Sequence, residues 1–325
     1  MTFAATAEVV RYFDAVPILV DCDPETLNLD IADAETKLER ATRGELRGIP
    51  PVEVVGVIPV HVGGLMLNLD RVRAFASRHQ LWIVEDAAHA FPAAWRRTAD
   101  DRWTRCGENT ADVTCFSFYA NKTMTTGEGG MAVTADPRIA DRMRLMSLHG
   151  LSKDAWGRYE AGGNWDYQIV APGFKYNLTD IAAAIGIHQL AKADRWRDAR
   201  ESLANEYAEQ LRGVDQVDVP PSPCDRRHAW HLYPIRLRLD RLTIDRRRFI
   251  DELQQAGVAC SVHWRPLHLH PYYQQHFCWD ARDFPIATRE WERLVSLPLF
   301  PTMSREEHAH VVRTVAGLCA RFARR

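Results

Sequence analysis

Three stretches decide the fold: Val54-Val-Gly-Val-Ile-Pro-Val60, the segment 69–79, and Leu81-Trp-Ile-Val-Glu85. The first is apolar and β-branched, the second has the periodicity of an amphipathic helix, and the third is a short apolar run of the fully buried kind. Strand, helix, strand with short links is the βαβ unit of a mainly parallel sheet. Working outward, residues 4–14 read as a helix, Pro17-Ile-Leu-Val-Asp21 as a short buried strand, and 32–42 as a polar helix. Further strands are expected at 113–118 and 130–134, and helices at 137–149 and 179–212. The stretch 217–227, rich in Pro and charge, reads as a linker. Beyond it, 229–237, 244–256, 258–262 and 304–323 suggest a smaller α/β unit.

The chain has 325 residues, enough for about two domains of ordinary size. We expect a large domain over 1–205 and a smaller C-terminal α/β domain over 206–325. Hydrophobic residues at 46% and charged residues at 26% are ordinary for globular proteins, which argues against disordered, collagen-like and coiled-coil classes. A formal net charge of −2 gives no global reason to hold nucleic acid or an anionic membrane. No apolar run approaches the ~20 residues of a membrane-spanning helix, and Glu8, Arg11 and Asp14 spoil a secretion signal, so the cytoplasm is the expected compartment. The seven cysteines are odd in number and scattered, with no Cys-x-x-Cys pair. They indicate reduced thiols, with neither a disulfide framework nor a metal cluster.

In open parallel sheets ligands bind beyond the carboxyl ends of the strands, which directs attention to two segments. In Glu85-Asp-Ala-Ala-His-Ala90 an acid at a strand end is followed by small residues that let a flat ligand approach. The bland readings are a helix N-cap for Asp86 and a packing role for His89. In Cys115-Phe-Ser-Phe-Tyr-Ala-Asn-Lys122 and the Thr/Gly-rich turn that follows, a strand delivers the hydroxyl of Ser117 and then the amine of Lys122. A lysine becomes a carbonyl-trapping nucleophile when a dry pocket lowers its proton affinity, although most loop lysines are simply solvated. Together Asp86 and Lys122 are sharper than either alone. Pyridoxal phosphate needs a lysine for its Schiff base and a carboxylate on its pyridine nitrogen, and both occur here at strand ends.

Several motifs in order then resemble one family: Thr2-Phe-Ala-Ala-Thr6, Pro59-Val-His-Val-Gly-Gly64, Val84-Glu-Asp-Ala-Ala-His-Ala90, Phe116-Ser-Phe with Lys122 and Thr126-Gly-Glu-Gly-Gly130, Pro172-Gly-Phe-Lys-Tyr-Asn-Leu-Thr-Asp-Ile181, His263 with Pro266-Leu-His268, and Ser296-Leu-Pro-Leu-Phe-Pro301. The chain resembles the sugar-nucleotide aminotransferases of the DegT/StrS type over nearly its whole length. The resemblance implies the fold-type I architecture of pyridoxal-phosphate transferases: α/β, with a mainly parallel central sheet flanked by helices and a smaller C-terminal α/β domain. By resemblance Lys122 is the Schiff-base lysine, Asp86 the pyridinium partner, His89 a neighbour of the ring's phenolic oxygen, Ser117 a phosphate ligand, and Phe3 a residue packed on the ring face. In the family a Gly-Phe/Tyr-Asn-Tyr-Arg stretch commonly reaches the neighbouring subunit's phosphate through its Asn; by resemblance Lys175 stands in that Asn's place here, with Asn177 two residues on. That reach, from one subunit into its neighbour's site, implies a homodimer with shared active sites.

The resemblance also implies a reaction in which L-glutamate gives its amino group to the cofactor and a nucleotide-diphosphate keto-sugar receives it. For the substrate side the candidates are His149, His263 and His268, with Tyr176 and Arg158 behind them, and the aromatic, glycine-bearing stretch 153–165 is a candidate loop over the nucleotide. Family members begin several tens of residues earlier, so a segment that would help cradle the phosphate is expected upstream. The alternative expectation is a catalytically impaired member acting as a ligand-binding or dimerisation module. A dehydratase offshoot with histidine in place of the lysine does not fit Lys122. An NAD reading fails for lack of a Gly-x-Gly-x-x-Gly turn, and no basic recognition helix supports a DNA reader.

Overall fold

Helices α1 (Ala5–Arg11) and α2 (Ile31–Arg43) lead into the central βαβ unit in the computed structural model, which describes residues 1–151 and 168–324. Asp30 caps α2 by accepting from the Ala32 N–H at 2.8 Å, and Gly44 ends it at φ 70°, a left-handed conformation that glycine adopts without penalty. Strand β1 (Gly56–Val57), helix α3 (Leu69–Arg78) and strand β2 (Trp82–Asp86) follow. The Asn68 side chain accepts from the Arg71 N–H to start α3. That helix buries Val72, Phe75 and Ala76 with Leu81 and Ile83 of the strand stretch, the apolar periodicity made physical.

Strands β3 (Val113–Ser117) and β4 (Gly130–Val133) complete a four-stranded sheet in the order β1-β2-β3-β4. The first three are parallel and β4 is antiparallel to β3. Because β2 and β3 run the same way, with Asp86 opposite Cys115, the carboxylate of β2 and the residues that end β3 emerge at the same edge. Helix α4 (Pro137–Ser147) starts on an Asp136 cap and buries none of its residues. Helices α5 (Asp180–Leu190) and α6 (Ala193–Leu211) then carry the chain to a second sheet, the antiparallel set β5 (Val217–Asp218), β6 (Tyr233–Leu237) and β7 (Leu294–Leu297), in the order β7-β6-β5. Helices α7 (Arg246–Gln255) and α10 (Arg305–Arg321) cover it, and Tyr207, Tyr233, Phe249, Leu253, Val295 and Val315 are buried in the core between them. Helices α8 (Pro271–Phe277) and α9 (Pro285–Arg293) belong to a different cluster, in which Leu267, Tyr273, Trp279 and Phe284 pack with Ala7, Cys22, Leu27 and Val62. The expected 205/206 division stays a proposal: it falls inside α6, whose Leu203 and Ala204 pack with Tyr207 and Leu211 in the C-terminal core, and part of the C-terminal half also packs against the N-terminal segment.

The structure corrects several expected elements. The 17–21 stretch forms no ladder, and its nearest pairing is the isolated Cys22–Leu29 bridge. A strand exists only where a neighbour accepts its hydrogen bonds, and here a cavity of about 840 Å³ separates Pro17–Val20 from β1. The same cavity explains why β2 is not buried on both faces: Trp82, 43% exposed, lies along it. The Trp82 ring rests on Gly56, where a Cβ would come within 2.1 Å of it, so that position admits only glycine. The single helix expected over 179–212 is two, because the chain turns at Ala191 and Lys192. Within 258–262 only the Ser261–Ser296 bridge forms, while β7, fully buried, was not anticipated as a strand. The described cysteines are unpaired, and among the described residues no helix is long and apolar enough to cross a membrane.

Candidate active site

Asp86 ends β2 with both carboxylate oxygens occupied. Oδ1 accepts from the Ala88 N–H at 3.1 Å, and Oδ2 accepts from the Thr6 hydroxyl at 2.6 Å. Behind it, Glu85 is 1% exposed and accepts from Thr110 at 2.6 Å and Thr114 at 2.7 Å. His61 Nδ1 accepts the Leu67 N–H, which leaves the ring's own proton on Nε2, 3.6 Å from Glu85 Oε1. With Cys106 these residues bring potential metal ligands within 4.8 Å, a grouping no cysteine spacing could reveal. A protonated Nε2 is closed to a metal. We read the group as a buried brace that pins β2, since the His61 N–H also donates to the Asp86 carbonyl at 3.1 Å.

Lys122 follows β3 in the turn 118–126, where its N–H donates to the Tyr119 carbonyl and the Thr126 N–H to the Phe118 carbonyl. Burial lowers the proton affinity of its amine to about 8, against a smaller opposing pull from the Asp86 carboxylate. The turn leading into β4 places Gly127 at φ 79° and Gly129 at φ 158°. At Gly129 a Cβ would meet Thr126 Oγ1 at 2.3 Å, so glycine is required there by space as well as by backbone. Ser117 Oγ, at the end of β3, accepts from the Tyr119 N–H at 3.3 Å.

Three histidines face the lysine. His89 is 8% exposed, stacked on Trp264 with ring centroids 4.9 Å apart and tilted against His231 at 4.2 Å. Burial, then the Lys122 ammonium and His263, push the His89 imidazole well below its usual range. His231 is displaced the same way, by burial first and then by His89 and Lys122 among its neighbours. His263, whose Nδ1 lies 2.9 Å from Ser296 Oγ, is lowered by burial and Lys122. The Nδ1 atoms of His89 and His231 and the hydroxyl of Thr123 are buried with no hydrogen-bond partner. A half-buried amine of low proton affinity, a carboxyl side chain and imidazoles of low proton affinity suit a ligand that carries a carbonyl, a basic ring nitrogen and an acidic oxygen. The donor set fits pyridoxal phosphate.

The other expected residues fall elsewhere. Lys175, Tyr176 and Asn177 form an exposed strip with His149: Leu148 bridges to Lys175, and the His149 N–H donates to the Phe174 carbonyl at 2.8 Å. Tyr176, 70% exposed, stacks on Phe174, and the Lys175 amine donates to the Asn177 side chain. Phe3 is 60% exposed. His268 is a correction: it is 2% exposed, stacked on Phe284, and its Nε2 pairs with Thr288 Oγ1 at 2.8 Å. Asp21, Lys37 and Asp283 are the side-chain charges that reach it, so its surroundings are those of a packing residue. Arg158 and the 153–165 stretch lie outside the described residues. Two members of the site escaped the sequence reading. Thr6 sat inside a quoted motif without a role, and His231 stood in His228-Ala-Trp-His-Leu-Tyr233, just before a buried strand.

The fold and this edge define an aminotransferase of the pyridoxal-phosphate class. Residues 1–316 match the DegT/DnrJ/EryC1/StrS aminotransferase family, and the chain belongs to it. Over 319 residues it is 38% identical to the spore coat polysaccharide biosynthesis protein SpsC of Bacillus subtilis, covering 98% of this chain and 77% of that one. Over 314 residues it is 40% identical to an uncharacterized protein, MJ1066, of Methanocaldococcus jannaschii, covering 97% and 76%. Among solved structures it resembles the putative sugar aminotransferase Spr1654 of Streptococcus pneumoniae in its PMP form, with TM-score 0.85, 28% identity, and 99% of this chain aligned to 80% of that one. DesV of S. venezuelae, in complex with a ketimine intermediate, aligns at TM-score 0.82 and 28% identity over 98% and 76%. Members of this family are sugar aminotransferases that use pyridoxal phosphate.

Proposed function

We propose that this chain transfers the amino group of L-glutamate to a nucleotide-linked keto-sugar, supplying an amino-sugar for polysaccharide assembly, as a homodimer with shared active sites. The observation that carries this is the Lys122 amine, brought by burial to a proton affinity of about 8 and surrounded by neutral imidazoles. When bound, pyridoxal phosphate supplies the electron sink for a negative charge developing on the carbon beside the amine. Lys122 would hold the cofactor through its Nζ, with the carbonyl oxygen leaving as water, and once free that amine would take and return the proton at the carbon beside the donor's nitrogen. The Asp86 carboxylate would hold the positive charge of the pyridine nitrogen. His89, neutral, offers its ring to the phenolic oxygen without adding a second positive charge beside Lys122. Ser117 would serve the phosphate, and Phe3 would cover the ring face. His149, His263, Tyr176 and Arg158 remain our candidates for the sugar nucleotide. The kinship with a polysaccharide-biosynthesis protein and with sugar aminotransferases supports the substrate class.

The dimer rests on surface chemistry. Helix α5 buries only Gly186 among its described residues and exposes Ile181 at 78%, Ile187 at 69% and Leu190 at 54%. Phe174 and Tyr176 are exposed too, and helix α4 buries none of its residues. A patch of this kind asks for a partner, and a second copy places Lys175 and Asn177 at a neighbour's phosphate. The decisive experiment is borohydride trapping after incubation with pyridoxal phosphate, followed by peptide mapping. Label on Lys122, with amine transfer to a keto-sugar nucleotide that depends on glutamate, is the expected result. A folded sample unlabelled at Lys122 would favour the ligand-binding or dimerisation module instead.

A further inference from the structure

We infer that Thr6 is the positioning residue for Asp86, and that Thr2 in turn orients Thr6. This rests on the reading of Asp86 as the acid that meets the cofactor's ring nitrogen. Thr6 lies on α1 and Asp86 at the end of β2, eighty positions apart, yet the Thr6 hydroxyl donates to Asp86 Oδ2 at 2.6 Å. The second oxygen is fixed by the Ala88 N–H at 3.1 Å, so the carboxylate plane is set by one contact from its own strand end and one from α1. A hydroxyl has a single proton. With that of Thr6 committed to the carboxylate, Thr2, whose Oγ1 lies 2.6 Å away, is the donor in the Thr2–Thr6 bond, and it shares that one proton with the Phe3 carbonyl, the longer contact at 3.2 Å. The two bonds therefore point the same way, toward Asp86, and each polarises the next.

The consequence is chemical as well as geometric. A hydroxyl donor favours the ionised form of the acid it serves. Glu85 shows the same device one residue earlier, where Thr110 and Thr114 donate to a single carboxylate oxygen. At Asp86 the charge must be retained beside an amine whose ammonium form burial disfavours. A freely rotating acid would turn toward Lys122. Thr6 holds it in the plane in which a ring nitrogen bonded to Asp86 keeps its proton.

The test uses the full chain with pyridoxal phosphate alone and reads cofactor affinity and the pH at which the bound chromophore changes absorbance. Thr6→Val keeps the shape and removes the donor; Thr6→Ser keeps the donor. Thr6→Val should weaken cofactor binding about tenfold, equivalent to ~1.4 kcal/mol, and move the chromophore's transition, while Thr6→Ser stays within about threefold of the parent. Thr2→Val should move both in the same direction by less. Asp86→Asn is the control that separates the two claims. If Asp86→Asn alters the chromophore and Thr6→Val does not, the positioning role is wrong. If Asp86→Asn also leaves it unchanged, the reading of Asp86 itself fails. Equal losses in the Val and Ser variants would assign Thr6 to packing.

Discussion

Lys122 concentrates the chemistry in one amine, and its protonation sets two expectations. Capture of pyridoxal phosphate should rise with pH and reach half its maximum near pH 8, where the buried amine loses its proton, rather than near the 10.5 of a free lysine. A stopped-flow absorbance profile centred near 10.5 would contradict this. The same amine is a cost to the fold. Its affinity is lower folded than unfolded, so between about 8 and 10.5 the unfolded chain holds the extra proton and stability rises with pH. Below 8 the penalty is fully present. Lys122→Met should therefore stabilise the protein at pH 7 by about 1 kcal/mol, discounted for the partly solvated side chain, with the gain fading toward pH 10.5 in thermal melts. Lys122 and Asp86 were legible in the sequence because their residue types and strand-end positions together match one cofactor's needs. Thr6 and His231 were not, since a lone hydroxyl or imidazole gains meaning only from what the fold sets against it.

At the scale of elements, helix α9 locks the C-terminal sheet through one acid. Glu290 is fully buried, with Arg293 at 2.6 Å, Arg289 at 2.9 Å and the buried Arg236 of β6 at 3.6 Å. Asp218 of β5 joins Arg293 and Arg238 to the same network. Removing one member of such a group strands its partners' charge away from water. Glu290→Ala should cost about 3–5 kcal/mol by denaturant titration, whereas Glu306→Ala, at an exposed position of α10, should cost little. Helix α5 presents the opposite case, an apolar surface with too little beneath it. Ile181→Arg with Ile187→Arg should shift the sedimenting species from dimer to monomer and weaken cofactor binding, while leaving the far-ultraviolet spectrum unchanged. A dimer that survives both charges would move the interface elsewhere. Element types were readable where the apolar pattern ran unbroken, as in α3 and β2. They failed where a partner decides: 17–21 lacks one across the cavity, and β7 became a strand only because β6 lies beside it.

For the whole molecule, buried neutral histidines make stability depend on acid. Burial takes His228 down to about 3 and His268 to about 4, both below the usual 6.5. Between those values and 6.5 the unfolded chain binds protons that the folded chain refuses, so stability falls as pH drops through that window. The melting temperature should be level from pH 7 to 8 and several degrees lower at pH 5. His268→Gln, unable to take a proton, should recover part of that loss, and a curve equally steep in the variant would rule out His268 as a contributor.

The sequence by itself determined the class of sheet and the family and proposed the pair Asp86 and Lys122, because local pattern and residue chemistry are properties of the chain. Tertiary structure alone decided the rest. It brought Thr6 across eighty positions to Asp86, stacked His89 on Trp264 and tilted it against His231, and withdrew His268 beneath Phe284. Such contacts join segments distant in sequence, and their energies depend on burial and distance, quantities that exist only once the chain has folded.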